Sequence, residues 1–262
     1  MHAHLNIAIK AVRSAGNILL RNFEYPETHK AQEKGHNDLV TFVDQSAEEE
    51  IINTILKAYP DHAILGEENG AIGNGDYVWI IDPIDGTLNY VHGIPQFAIS
   101  LALKYKGVVE QGVIYNPVTQ ELYSASKGRG AQLNGRRIRC SGLTSIKSAV
   151  IGAGLPERNL DCLDACLNTL KELIINGAVI RRFGSAALNL AYVASGKLDG
   201  FLAIGINEWD IAAGGLLVRE AGGFLGDFAG ETKGMQNGQI LAASPKIYTY
   251  LLKIFQEQGL PF

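Results

Sequence analysis

Two aspartates three residues apart, Asp82 and Asp85, follow directly on the apolar run Tyr77-Val78-Trp79-Ile80-Ile81 and lead into Gly86 and Thr87. A run of that composition reads as a buried strand. Any fold this chain adopts must therefore bring two carboxylates to the end of a buried element. At ~5 Å and an effective dielectric of ~20 their repulsion is roughly 3 kcal/mol. Either one of them keeps its proton or a cation sits between them. The second solution is an all-oxygen site for a hard cation such as Mg2+, and with it phosphate chemistry. Asp-Pro and Asp-Gly are also ordinary turn pairs, so the segment alone leaves a simple turn as an equal alternative.

Periodicity organises the rest. Leu5, Ala8, Val12, Ala15, Leu19 and Phe23 mark one face of a first helix ending before Pro26. Ile51, Ile52, Ile55, Leu56 and Tyr59 mark a second, stopping at Pro60. Strands are expected at 63–65, 77–81, 97–105, 108–115 and 121–125, with turns at Asn116-Pro117 and Asn134-Gly135. Beyond about residue 145 the pattern alternates: strand 150–153, helix 160–175, strand 178–182, helix 186–195, strand 198–203, helix 211–221, strand 239–243 and helix 246–256. This order implies layered α/β architecture. The expected division is an N-terminal lobe, 1–140, with a helix pair and an antiparallel sheet carrying most of the acidic ligands. An α/β lobe, 141–262, would carry Asp210 and substrate contacts. No Pro/Gly/Ser-rich linker separates them, so they should pack as one unit.

With 47% hydrophobic and 19% charged residues in 262, the chain reads as globular. A formal charge of -4 argues against a nucleic-acid binder that relies on bulk positive charge. Gly128-Arg129-Gly130 and Arg136-Arg137-Ile138-Arg139 read as solvated hairpin residues. No apolar run approaches the ~20 residues needed to span a bilayer. The N-terminus lacks a secretory layout. Cys140, Cys162 and Cys166 are an odd number with no metal spacing. A cytoplasmic protein without membrane or nucleic-acid partners is the expectation.

Further carboxylates stand at informative places. Glu67 follows the short strand at 63–65. Asp210, in Trp209-Asp210-Ile211-Ala212-Ala213-Gly214, sits in the first turn or cap of a helix, where the dipole alone would favour it. Asp44 could orient a hydroxyl or a water, or equally cap a helix. Each signal by itself has a structural explanation; their combination carries the argument.

Taken together, Asp38-Leu39-Val40-Thr41 with Asp44, Gly66-Glu67-Glu68, the segment Trp79 to Tyr90 and Trp209 to Gly214 resemble the inositol monophosphatase family. The order and spacing match over roughly residues 5 to 245. Gly184-Ser185-Ala186-Ala187-Leu188-Asn189 brings the likeness nearest to the bacterial SuhB-type branch. The resemblance implies an α/β/α/β/α sandwich of the inositol monophosphatase and fructose bisphosphatase type. It also implies a Mg2+-dependent, lithium-sensitive, homodimeric phosphoric monoester hydrolase with two to three ions per site. Glu67, Asp82 and the Ile84 carbonyl would hold the first ion, and Asp82, Asp85 and Asp210 the second. Glu67 would reach a third through water. Asp44 and Thr87 would orient the attacking water, while Asp85, Gly86, Thr87, Arg181, Gly184, Ser185 and Asp210 would meet substrate.

Ala203 departs from this pattern. Inositol-active relatives commonly carry Glu there, and a methyl group accepts no hydrogen bond. Sugar, nucleotide or histidinol phosphates are therefore alternative substrates to inositol 1-phosphate. Leu88, where relatives often have Thr or Ala, should alter packing only. An aspartyl-nucleophile phosphatase is disfavoured because its two aspartates stand two residues apart rather than three. Some SuhB-type relatives are linked to transcription machinery, so a regulatory binding role there is a second expectation.

Overall fold

A computed structural model of the chain describes residues 3–23, 32–35, 38–40, 42–156, 160–231 and 238–258. The first helix, α1 (Ala3–Phe23), buries Leu5, Ala8, Val12, Ala15 and Leu19 on the face its spacing predicts. An antiparallel ribbon, β1 (Gln32–Gly35) with β2 (Asp38–Val40), leads to α2 (Phe42–Ala58). Pro26 and Thr41 lie outside the described residues. Asp44 stands in the first turn of α2, buried.

Eight strands then form one sheet: β3 (Ala63–Gly66), β4 (Gly70–Ile72), β5 (Tyr77–Asp85), β6 (Ala98–Tyr105), β7 (Val108–Asn116), β8 (Glu121–Ser126), β9 (Ala131–Leu133) and β10 (Arg136–Ile138). Their spatial order is β10-β9-β8-β7-β6-β5-β3-β4. Within this sheet, among the described residues, β3 and β5 are the one parallel pair. A short helix, α3 (Thr87–Val91), separates β5 from β6. The second sheet has five strands: β11 (Val150–Gly154), β12 (Val179–Arg181), β13 (Gly200–Ile204), β14 (Phe224–Gly226) and β15 (Gln239–Ala243). Its order is β12-β11-β13-β15-β14. Four helices accompany it: α4 (Leu163–Ile175), α5 (Ala186–Ala194), α6 (Glu208–Glu220) and α7 (Pro245–Gln258).

Three apolar cores glue five layers. One lies between α1, α2 and the eight-stranded sheet. The second holds α5 and α6 between the two sheets, with Ile80 and Ile114 on one side and Phe201 and Ile240 on the other. The third seats α4 and α7 on the outer face of the second sheet. This is the layered α/β/α/β/α architecture.

Local differences from the sequence reading have physical causes. β5 does not end at Ile81 but runs through Pro83 to Asp85. The strands β4, β9, β10 and β14, three residues each, are too short to show alternation. β12 covers 179–181 rather than 178–182, and α6 starts at Glu208, earlier than its apolar pattern.

The small residues of α6 have a packing role. A Cβ on Gly112 of β7 would lie 2.9 Å from the Ala213 carbonyl oxygen of α6, and one on Gly214 would lie 2.6 Å from Leu190 of α5. The central helices therefore approach the sheet and each other more closely than bulkier residues allow. Gly112→Ala forces backbone apart rather than a flexible side chain. It is expected to destabilise by about 1–3 kcal/mol, measured by denaturant unfolding.

Candidate metal centre

Asp82 pairs with Ser100 of β6 and Asp85 with Ala98, so β5 advances three residues while β6 advances two. In a regular strand residues three apart face opposite sides. The extra residue is a bulge that returns Asp85 to the side of Asp82. Pro83 sits inside this irregularity, where a missing N–H is tolerated. Gly86 then takes φ 97°. A Cβ there would come within 3.0 Å of the Gln96 carbonyl oxygen and 3.1 Å of that of Gly184, so the turn requires glycine.

Two helices of the central layer reach the end of β5. Asp85 receives the Ser185 hydroxyl and the amides of Ala186 at 3.1 Å and Ala187 at 2.7 Å, all at the start of α5. Ser185 is the N-cap itself, its Oγ accepting from the Leu188 amide at 3.2 Å. Asp210 is the third residue of α6 and accepts the Asn207 amide at 2.6 Å, closing a capping box. Ser100, opposite Asp82, donates to the Trp209 carbonyl at 3.1 Å and so ties the start of α6 to β6. Oxygens of Asp82, Asp85 and Asp210 consequently all lie within 4.8 Å of one another.

Glu67 joins this group from the turn after β3, which its amide anchors to the Ile81 carbonyl at 3.2 Å. Its carboxyl lies beside that of Asp82, close enough to raise it. On the other side, the Thr87 hydroxyl lies 3.3 Å from Asp44 Oδ1 and 3.0 Å from the Ile84 carbonyl oxygen. Asp44 is 1% exposed. A hydroxyl has one proton, so these two acceptors compete for it.

Burial pushes the Asp82 carboxyl well above the usual carboxylate range, and the neighbouring charges of Glu67, Asp85 and Asp210 push it the same way. Burial also raises Asp85, to about 6, although the hydrogen bonds from Ser185 and the α5 amides pull it down. Asp82 Oδ1 is buried without a hydrogen-bond partner. An orphaned carboxyl oxygen beside three further carboxyl groups fits a hard divalent cation, whose oxygen ligands span roughly 4–5 Å across the ion. The donor set holds no sulfur or imidazole.

The remaining residues named from sequence fall as follows. Arg181 is exposed on the edge strand β12, its guanidinium donating to the Ile180 carbonyl at 3.0 Å. Gly184 adjoins Asn89, whose amide nitrogen donates to the Gln96 and Phe183 carbonyls, each at 2.7 Å. The amides of Ala186 and Ala187 at the start of α5 are taken by Asp85, because a buried carboxylate is a strong acceptor at a helix start. Ala203 is 1% exposed, within the core between the sheets. Its methyl fills the space left by Gly154, where a Cβ would approach to 2.7 Å. Leu88 is half exposed, so its substitution leaves packing largely untouched. Sequence reasoning missed the roles of Ser100 and Asn89, which act through backbone carbonyls and so leave no compositional trace.

Five alternating layers with an acidic cluster where two central helices meet a bulged strand define a class of protein, that of the inositol monophosphatases. The chain belongs to that family: the model of the inositol monophosphatase family matches residues 1–260. It is 49% identical over 262 residues to the Nus factor SuhB of Pseudomonas aeruginosa, covering 98% of this chain and 97% of that one. The Escherichia coli K12 protein of the same name is 44% identical over 260 residues, with the same coverage. Among solved structures, the extragenic suppressor protein suhB from Bartonella henselae superposes with a TM-score of 0.94 at 39% identity, covering 98% of this chain and 99% of that one. A Thermotoga maritima IMPase superposes with a TM-score of 0.89 at 37% identity, covering 98% of each.

The raised carboxyls set a sign for the pH dependence of the metal-free protein. Folded Asp82 and Asp85 hold protons at pH values where the unfolded chain, with ordinary aspartates near ~3.9, has lost them. This cluster's contribution to stability is therefore largest below ~4 and declines as pH rises through about 6 and beyond. Asp82→Asn keeps the shape and removes the repelled charge. It is expected to raise the metal-free Tm at about pH 7.5 and to flatten the fall in Tm between about pH 5.5 and pH 7.5, read by calorimetry in chelator.

Proposed function

We propose that this chain is a Mg2+-dependent phosphate monoester hydrolase acting on small phosphorylated polyols or sugars, inositol 1-phosphate among them. The observation that carries the reading is the convergence of Asp82, Asp85 and Asp210 within 4.8 Å, with Glu67 beside Asp82 and the Asp44–Thr87 pair alongside. Glu67, Asp82 and the Ile84 carbonyl would hold one ion, and Asp82, Asp85 and Asp210 a second. Glu67 would reach a third through water. Such ions supply positive charge for a phosphate dianion and Lewis-acid activation of water.

The chain's own groups do the rest. If the Ile84 carbonyl served as a ligand, the Thr87 hydroxyl would donate its hydrogen bond to Asp44 alone and turn a lone pair outward to accept from the attacking water. The pair can then take and hold the proton of an attacking water. Gly86 and Thr87 offer amides toward the phosphate. No side chain need become phosphorylated: the water oxygen bonds phosphorus in line as the ester P–O bond breaks opposite it, and the departing alkoxide takes a proton from solvent water to leave as the alcohol. Ala203 offers no acceptor to ring hydroxyls and is closed into the core, so selectivity extends beyond inositol phosphate.

Hydrolysis of a monoester panel, with and without Mg2+ and with lithium as inhibitor, tests this directly. Activity is expected to require Mg2+; turnover unaffected by chelator would overturn the reading. Thr87→Ala is expected to lower kcat by ~10²–10⁴-fold while Mg2+ still raises Tm. Asp210→Asn is expected to lose both.

A homodimer is part of the proposal. Ile174 and Ile175 at the end of α4 are 57% and 65% exposed, and Val179 on β12 is 40% exposed. Together they leave apolar surface beside β12, the edge strand of the second sheet among the described residues, with Arg181 on the same strand. Ile175→Glu is expected to yield folded monomer by sedimentation.

The relatives named Nus factor SuhB favour a second role, as a binding partner of the transcription machinery. Co-purification of RNA polymerase with the Asp210→Asn variant would show that role to be independent of hydrolysis.

A further inference from the structure

Glu48 is fully buried on α2, yet it is none of the ligands named above. Its Oε2 accepts the Glu68 amide at 3.0 Å, and its Oε1 accepts both the Asn69 amide and the Asn69 side-chain nitrogen at 2.8 Å. Three N–H donors compensate a buried carboxylate, and all three come from the turn that carries Glu67. A Cβ on Gly66 would collide with this carboxyl, so Gly66 is what lets it close onto the turn. Glu48 stands one helical turn after Asp44 on the same face of α2, and Asp44 reaches Thr87.

We propose that Glu48 is a positioning residue that aims Glu67 at the cation. One helix face thereby sets the distance between the Glu67 ligand and the Asp44–Thr87 pair. The inference rests on the metal-dependent reading of the site. Groups that orient a ligand from behind change metal affinity more than they change the chemistry once metal is bound.

The test measures Mg2+ dependence in Glu48→Gln, which keeps the shape but presents N–H where the Glu68 amide needs an acceptor. The Mg2+ concentration for half-maximal hydrolysis is expected to rise about 10–100-fold. At saturating Mg2+, kcat should stay within about threefold of the wild type. The Mg2+-induced rise in Tm should shrink in parallel, and amide exchange in the metal-free protein should quicken at residues 66–69. An unchanged Mg2+ dependence with a lowered Tm would make Glu48 merely structural and overturn the proposal. A wild-type protein whose Tm and turnover ignore Mg2+ would instead remove the reading of the site itself, and this role with it. Should Glu48→Gln fail to fold, Asn69→Ala deletes only one of the three donors and reads the same shift on a smaller scale.

Discussion

Repulsion among Asp82, Asp85 and Asp210 is the constraint on which the rest of the structure turns. Three carboxylates share a space within 4.8 Å, and each pair at that range repels by roughly 3 kcal/mol at an effective dielectric of ~20. The fold offers some relief. Asp85 lies at the N-terminus of α5 and Asp210 in the first turn of α6. A helix start stabilises a carboxylate by about 0.3–1 kcal/mol, up to ~2 when partly buried. Two such contributions do not offset three repelling pairs. The remainder shows as carboxyl groups raised by burial and mutual charge, which a divalent cation would reverse.

The layered fold follows from the need to deliver those residues to one point. Asp82 and Asp85 come from an internal strand of the first sheet; Asp210 comes from a helix sandwiched between the sheets. Their meeting depends on how closely α6 lies on the sheet, which the Gly112–Ala213 approach sets. Ser100 fixes the start of the helix opposite Asp82. Packing in the central core thus bears on the site at a distance, because a methyl group at Gly112 would press on the helix that carries Asp210.

Much of this was legible in the residues. The long elements showed their period, because α1 and β5 to β8 each place enough apolar side chains to repeat it. Strands such as β9 and β14 are three residues long and are held by their neighbours rather than by their own pattern. The Asp82–Asp85 spacing was visible, but the bulge that puts both on one side was not, since it is a relation between β5 and β6. Convergence of Glu67 and Asp210 on Asp82 came from family likeness; no local rule joins residues so far apart. The occupied amides at the start of α5 went unseen because their partner, Asp85, lies about a hundred residues earlier.

The cluster also bears on how two roles can share one chain. A buried polar atom left without a partner, as Asp82 Oδ1 is, costs about 1–3 kcal/mol, more when charged. A protein serving only as a docking surface gains nothing from that expense, and one isosteric Asp→Asn change would remove it. The bulge, Gly86 and the Glu48 clasp on the Glu67 turn are further specialised features that converge on the same spot. None of them is needed for folding stability alone, which is what the metal-dependent reading proposed above would account for. The apolar surface at the end of α4 and on β12 belongs to the outer layers instead. The acidic cluster and this apolar surface therefore lie in different layers of the fold, so a substitution in one need not disturb the other.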